Sequence, residues 1–351
     1  MSKLKFAVIG CGVIGPRHAR LVVANPDAQL VAIVTRSSAG VGLASELGAT
    51  SYSSVADLIA SPDKPDAAII CTPNDTHAPV ARELSAAGIH VLIEKPISSD
   101  IPSGKSLLEH LDKTGVVAFV GHHRRFNPYI LAAKEIVESG KLGDIIALNG
   151  LWLMFRSDYY FNDPWEWRRT KVGGVILINM IHEIDCLHFI FGPIVSVHAE
   201  KIKSLRGFEA EEGAALTLRF KSGMVGTFLI ADNVPSPYNV EGGTGEYLQD
   251  PKSGEDFWRI FGTNATLSVP DMKIWSHDGV KSWTTPLKKE IYPVVPVLPF
   301  ESHFQHFIKA IQGEKTPNCT ARAGLASLLV CDAIRTAVEN NSTEAVEEYE
   351  L

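Results

Sequence analysis

Three groups of residues in this chain have types and spacings that could do chemistry. The first is Gly10-x-Gly12-x-x-Gly15, with Val13 and Ile14 inside it. It closes the apolar run Phe6–Ile9, which reads as a buried strand, and opens a 3.6-period apolar stretch from Val13 to Val23, which reads as a helix. Gly10 suits a tight turn, Gly12 lets a pyrophosphate approach the backbone, and Gly15 lets the helix pack on its strand. The helix start then offers N–H groups and a positive dipole end to phosphates, so the segment reads as a dinucleotide-binding loop. The second group is Lys95, in Glu94-Lys95-Pro96, directly after the apolar strand His90–Ile93. A lysine there can donate to a reacting oxygen and stabilise alkoxide character as hydride leaves carbon. The third is His182 with Asp185, three residues apart on one helix face. His182 fits either a proton-transfer group or a satisfied core histidine. Glu183 points elsewhere and His188 lies roughly 240° around the helix, so these groups make no ligand cluster. The segment is not H-E-x-x-H either, and no metal is expected.

The bulk properties fit a soluble enzyme. A chain of 351 residues exceeds one comfortable core, so two domains are expected. A net charge of −7 argues against a nucleic-acid or anionic-membrane surface. No apolar stretch reads as approaching the roughly 20 residues that span a bilayer. The N-terminus runs straight into a strand, with no room for a signal peptide. Cys11, Cys71, Cys186, Cys319 and Cys331 are widely spaced, odd in number and free of any C-x-x-C, which suits free thiols in a reducing cytoplasm.

The elements that must position these residues change character along the chain. To about residue 121, strands alternate with helices: Phe6–Ile9, Gln29–Val34, a short strand near Ser51, Asp66–Cys71, His90–Ile93 and Val116–Val120. That alternation predicts a doubly wound parallel sheet with helices on both faces, a Rossmann domain over 1–122. After a helix at Pro128–Ser139 and a long strand at Asp144–Phe155, a helix spans Leu177–Phe191. Six further strands follow between Ile194 and Ser276, with hairpin turns such as Lys221-Ser222-Gly223, before helices at Glu301–Gln312 and Arg322–Asn340. Residues 123–351 therefore read as an α+β domain on an open, mainly antiparallel sheet. Pro235–Gly254, rich in Gly, Pro and Ser, reads as a long loop, mobile or in subunit contact. The overall class is α/β.

Four more segments complete a resemblance: Cys71-Thr72-Pro73-Asn74-Asp75-Thr76-His77, Glu94-Lys95-Pro96, Trp167-Arg168 before Gly173-Gly174, and Ile178-Asn179-Met180-Ile181-His182-Glu183-Ile184-Asp185. With the glycine loop, in order and in register over the whole chain, they resemble the glucose–fructose oxidoreductase / inositol dehydrogenase / rhizopine-catabolism family of NAD(P)-dependent oxidoreductases. The resemblance implies hydride transfer between a nicotinamide and a hydroxyl or keto carbon of a sugar, cyclitol or related polyol. It implies Lys95 and His182 as catalytic residues that also bind substrate. It places Gly10, Gly12, Val13, Ile14, Gly15, Thr72, Pro73, Asn74, His77, Glu94, Lys95 and Arg168 around the cofactor. In the family the segment Gly121–Asn127 runs past substrate, so Arg124 or His123 is expected to touch it, while Arg125 reads better as an interdomain salt bridge. The family's commonest pattern has aspartate four residues before the histidine; here Ile178 stands there, Asn179 can offer only a hydrogen bond, and Asp185 is left to bind substrate hydroxyls.

The end of the second strand bears on the cofactor. NAD sites usually place a carboxylate about 20 residues past the glycine loop to bind the ribose hydroxyls. Here Thr35-Arg36-Ser37-Ser38 has none, and Arg36 with Ser37 can hold a 2′-phosphate, so NADP is favoured over NAD. Relatives of this fold also include NAD-dependent glycosidases and non-catalytic dinucleotide-binding regulators, and both stay as alternatives. A strand-rich second half with too few helices to cover both sheet faces predicts a homodimer or homotetramer.

Overall fold

The computed structural model describes residues 3–162, 164–247 and 249–349. The chain forms two compact units: Met1–His122 with Glu301–Leu328, and His123–Phe300 with Leu329–Leu351. Glu301–Leu328 thus packs with the first unit, whereas the sequence pattern alone assigns 123–351 to one domain.

In the first unit, β1 (Leu4–Ile9), β2 (Ala28–Val34), β3 (Thr50–Tyr52), β4 (Ala67–Ile70), β5 (His90–Ile93) and β6 (Ala118–Val120) form one sheet. Every pairing is parallel, and the order is β3-β2-β1-β4-β5-β6. All four residues of β4 are fully buried, as expected for a strand covered on both faces. Phe6 meets Phe304 at 5.0 Å and Phe119 meets Phe307 at 5.1 Å between ring centroids, and all four rings are fully or almost fully buried. Burying each such ring contributes about 1.5–3 kcal/mol, which fixes the returning helical segment on this core. Strand order reverses between β1 and β4, and open α/β sheets bind ligands at such a switch point, beyond the carboxyl ends of the strands.

In the second unit a nine-stranded sheet contains β7 (Ile145–Leu153), β8 (Ile194–Lys201), β9 (Gly213–Phe220), β10 (Val225–Ala231), β11 (Trp258–Gly262), β12 (Ala265–Val269), β13 (Lys273–His277), β14 (Leu287–Ile291) and β15 (Thr343–Ala345). The order is β14-β13-β12-β11-β7-β10-β9-β8-β15; only β7 and β10 pair in parallel. The sequence pattern misses the two edge strands. Every residue of β14 is exposed, so Lys288-Lys289-Glu290 shows no alternation of apolar and polar positions, and β15 is three residues long; charged or very short strands are how sheets blunt their edges. Pro235–Gly254 is not a bare loop. It carries a short helix, Val240–Thr244, capped by the Asn239 side chain, and buries Val240, Glu241, Thr244 and Glu246. The run Lys171–Phe191 is long and apolar enough by composition to cross a membrane, contrary to the reading that no stretch comes close, but 83% of its 18-residue apolar window is buried inside the protein. Inside this run, Ile176–Met180 makes a π-turn before the α-helix Ile181–Phe191. Such turns are rare and cluster at functional sites.

Candidate active site

The glycine loop has the backbone a dinucleotide needs. Gly10 has φ +94°, and a Cβ there would sit 2.8 Å from the Cys71 carbonyl oxygen. A Cβ on Gly15 would fall 2.1 Å from the Gly10 carbonyl oxygen, whereas one on Gly12 would meet nothing within 4 Å. Two glycines are therefore demanded by packing, and the third leaves open space in front of the main chain. Val13 is exposed, Ile14 half-buried, and no side chain caps the helix Gly15–Ala24 that follows. These residues fit a nicotinamide dinucleotide whose phosphates rest on this turn.

Beside it, at the end of β4, Thr72 and Asn74 are half-buried and Pro73 is exposed. The Thr76 hydroxyl donates to the Thr72 hydroxyl and the Pro73 carbonyl, both at 2.7 Å, which stiffens the turn. At the end of β5, Glu94 and Lys95 are half-buried. Glu94 Oε1 lies 2.8 Å from His18 Nε2, and Glu94 Oε2 accepts from the Lys95 amide at 3.3 Å. Glu94, expected at the cofactor, ties the glycine-loop helix to the lysine turn. His77, also expected around the cofactor, lies under the same turns. It is 1% exposed, with ring nitrogens 2.7 Å from the Pro96 carbonyl and 2.8 Å from the Thr72 carbonyl, and burial lowers its proton affinity below that of an ordinary imidazole. It braces the two turns from beneath.

At the end of β2, Thr35 is buried, Arg36 exposed, and the Ser37 hydroxyl accepts from the Gly40 amide at 3.1 Å as the cap of helix Ser38–Glu46. Capping leaves that hydroxyl its proton, so Ser37 can still donate.

In the second unit, His182 is 6% exposed and meets the His123 ring edge-on, with centroids 5.3 Å apart. The Tyr247 hydroxyl lies 3.2 Å from His123 Nε2, and Glu246 Oε1 lies 4.0 Å from the same atom. Ile178 and Asn179 stand in the π-turn ahead of His182, and the Asn179 amide oxygen accepts from Arg156 at 2.8 Å.

Arg124 and Asp185, both expected to meet substrate, are buried in ion pairs. Arg124 donates to Glu246 at 2.9 Å, to Glu183 at 3.0 Å and to Glu241. Glu241 also accepts from Trp152 Nε1 at 2.8 Å, and Glu183 from Trp258 Nε1 at 3.1 Å. Burial alone would lower the Arg124 pKa, but the three carboxylates hold it well above the ordinary range. Burial pushes Glu183 up to about 8, so it keeps a proton at neutral pH despite Arg124. Asp185 is fully buried, and its two oxygens accept from Arg125 Nε and Nη2, each at 2.7 Å. The Arg125 pair lies wholly inside the second unit and is not an interdomain bridge. Sequence reasoning missed Glu241 and Glu246 because the stretch around them looks like a loop.

Arg168 sits in the 3-10 turn Glu166–Arg169. Its Nη1 donates to the Tyr160 carbonyl at 2.9 Å, and its guanidinium carbon lies 3.8 Å from the Tyr160 ring centroid. A Cβ on Gly173 would fall 2.3 Å from Arg168 Cα, so that glycine lets the arginine turn close down, while one on Gly174 would fall on the Glu211 carboxylate.

A parallel 3-2-1-4-5-6 sheet with this glycine turn defines a dinucleotide-binding domain. Residues 4–122 match the family profile described as an oxidoreductase family with an NAD-binding Rossmann fold, and 134–346 match the C-terminal alpha/beta domain of the same family. The chain belongs to the glucose–fructose oxidoreductase / inositol dehydrogenase / rhizopine-catabolism oxidoreductase family. It is 30% identical to inositol 2-dehydrogenase of Rhizobium meliloti (strain 1021) over 192 residues, 54% of this chain, and so spans about half, 55%, of that curated relative. It is 22% identical to 1,5-anhydro-D-fructose reductase of Ensifer adhaerens over 348 residues, 98% of each chain. Its fold matches the crystal structure of the WlbA dehydrogenase of Bordetella pertussis in complex with NADH and UDP-GlcNAcA, with TM-score 0.79 and 23% identity over 99% of each chain.

Proposed function

We propose that the protein is an NADP(H)-dependent oxidoreductase acting on a secondary hydroxyl or keto carbon of a sugar, cyclitol or related polyol, with Lys95 and His182 as its catalytic residues. The observation that carries this is the family match over both domains, with the glycine turn and Lys95 at the carboxyl ends of β1 and β5, the two strands that flank β4 in one parallel sheet. Relatives named inositol 2-dehydrogenase and 1,5-anhydro-D-fructose reductase support a polyhydroxylated substrate.

When bound, the nicotinamide accepts or returns the hydride of the reacting carbon. The chain's own residues handle the oxygen and its proton. Lys95 Nζ donates to the reacting oxygen and offsets its developing negative charge. A ring nitrogen of His182 takes the hydroxyl proton during oxidation and gives it back during reduction. With isoleucine at 178, the His123 ring against His182, itself held by Tyr247, supplies the orientation that a carboxylate gives in the commoner pattern. Arg124 and Arg125 act in this scheme as positioning residues: their carboxylate partners Glu183 and Asp185 belong to the His182 helix. The experiment is a screen of sugars, cyclitols and their keto forms read by cofactor absorbance, with turnover of one of them as the expected result.

The preference for NADP(H) rests on exposed Arg36 and on Ser37, with no carboxylate between Thr35 and Ser38. Arg36→Ala is expected to weaken NADP(H) binding by ~1–3 kcal/mol, the scale of a charge-assisted contact, and NAD(H) binding by less. Equal losses for both cofactors, or tighter wild-type binding of NAD(H), would sink the preference.

One face of the nine-stranded sheet also supports a homo-oligomer. Leu229 and Phe261 are each 36% exposed and Trp275 37%, and Leu229 pairs across the strands with Ala215 and Leu151 on that same face. A second copy covering this face removes that apolar surface from water. Light scattering at micromolar concentration should return a multiple of the 38.2 kDa chain mass; the mass of one chain would refute the assembly.

A further inference from the structure

Arg156 follows β7 and stands beside the His182 helix. Its amide donates to the Asp232 carbonyl at 2.9 Å, and its own carbonyl accepts from Arg206 at 3.2 Å, so the backbone is pinned on both sides. Its side chain is half-buried, and Nη2 donates to a neutral acceptor, the Asn179 amide oxygen, 2.8 Å away. Asn179 comes three residues before His182, in the π-turn that leads into the His182 helix.

A second guanidinium lies close by. The Arg156 and Arg168 guanidinium carbons are 4.0 and 3.8 Å from the same Tyr160 ring centroid, and hence at most 7.8 Å from each other. Burial first, and the nearby Arg156 charge as well, lower the Arg168 pKa, and Arg168 Nε is buried with no hydrogen-bond partner. Among the described residues, neither arginine has a carboxylate within ion-pair distance. Asp232, whose carboxyl feels the Arg156 charge, makes its direct ion pair with Arg206 at 2.6 Å. Two half-buried cations this close together, with no carboxylate of the described residues in direct contact with either, make a local positive potential that an oxyanion would relieve.

We propose that Arg156, backed by Arg168, binds the carboxylate of an acidic polyol or cyclitol, so that the substrate is a hydroxy acid. The proposal rests on the reading of His182 as the proton-transfer group, because that reading puts the reacting carbon near the start of the same helix. The shared chemistry is an oxyanion, and the cofactor's phosphates are its other possible source.

The test separates these. D-Gluconate and D-glucuronate serve as acidic probes and myo-inositol as a neutral one, titrated calorimetrically into wild type, Arg156→Gln and Arg156→Lys, with NADPH binding followed by fluorescence on the same samples. We expect wild type to bind at least one acid more tightly than myo-inositol. Arg156→Gln should weaken that acid roughly 10- to 100-fold, with a much smaller effect on myo-inositol, and Arg156→Lys should recover part of the loss. Failure of wild type to favour either acid, or equal losses for acid and neutral probes, would overturn the proposal. A loss confined to NADPH would overturn it too and assign the arginine to a cofactor phosphate. If Arg156→Gln does not fold, Arg156→Lys decides: its acid affinity must fall while its NADPH affinity holds. These are binding measurements, so they stand even if His182→Ala keeps full turnover and the catalytic reading fails.

Discussion

Replacing His182 with alanine is expected to lower turnover by roughly 10²–10⁴-fold, the usual scale of general acid–base catalysis, with little change in cofactor affinity. A secondary carbinol gives up hydride only as its hydroxyl proton leaves, so the site needs a proton acceptor and a donor to the oxygen. Lys95 sits at the end of β5, on a turn held by Glu94 and, through Pro96, by His77. In the proposed scheme it is the donor to the reacting oxygen, and Lys95→Ala should cost at least as much as the histidine change. His182 is on a helix tied by three buried carboxylate contacts and edged by His123. Removing its ring takes away the proposed proton carrier and leaves the carboxyl ties of Glu183 and Asp185 in place. Single-turnover rates with matched cofactor titrations make the measurement. Near-normal turnover and an unchanged pH profile in His182→Ala would make this histidine structural and pass the base role to Lys95.

The second large effect is on stability. Arg124→Met should destabilise the fold by about 3–5 kcal/mol, because it leaves the carboxyls of Glu183, Glu241 and Glu246 buried without their cation. The same cluster sets a pH dependence. An unfolded glutamate titrates near 4.3, and the folded Glu183 at about 8. Between those values the folded state binds more protons than the unfolded one, so stability falls as pH rises through this window. Glu183→Gln keeps the shape and removes the titration, so it should flatten that slope. Urea midpoints of the three proteins across the window test both statements. An Arg124→Met midpoint close to wild type, or an identical slope in Glu183→Gln, would contradict this picture of the cluster.

What was legible in the sequence and what was not divides on physical lines. The Rossmann half is readable because its inner strands, such as β4 and β5, are apolar runs buried on both faces, and because Gly10, Gly12 and Gly15 answer separate local demands on the backbone. The antiparallel half is readable wherever one face is buried, as in the strict alternation of β9. It fails at β14, where both faces meet solvent and no period exists to detect. The site residues fail in a different way. Spacing puts His182 and Asp185 on one face, but nothing in the spacing says that Arg125 occupies both oxygens of Asp185. Likewise Arg124 looks like a substrate ligand until Glu241 and Glu246, more than 110 residues away, are seen to reach it. Long-range charge pairing leaves no local pattern. The π-turn at Ile176–Met180 also escapes a 3.6-residue reading, since an apolar run satisfies either helix.

The central claim is net hydride transfer to or from a dissociable nicotinamide, and one measurement meets it directly. Purified protein is mixed with NADP⁺ or NADPH and a panel of sugars, cyclitols, sugar acids and their keto forms, and the near-ultraviolet absorbance of the reduced nicotinamide is followed. The account predicts, for at least one pair, a change that matches product formation mole for mole and disappears in Lys95→Ala. Saturable cofactor binding with no absorbance change on any member of the panel, or glycoside cleavage that leaves the cofactor's redox state unchanged, would contradict it.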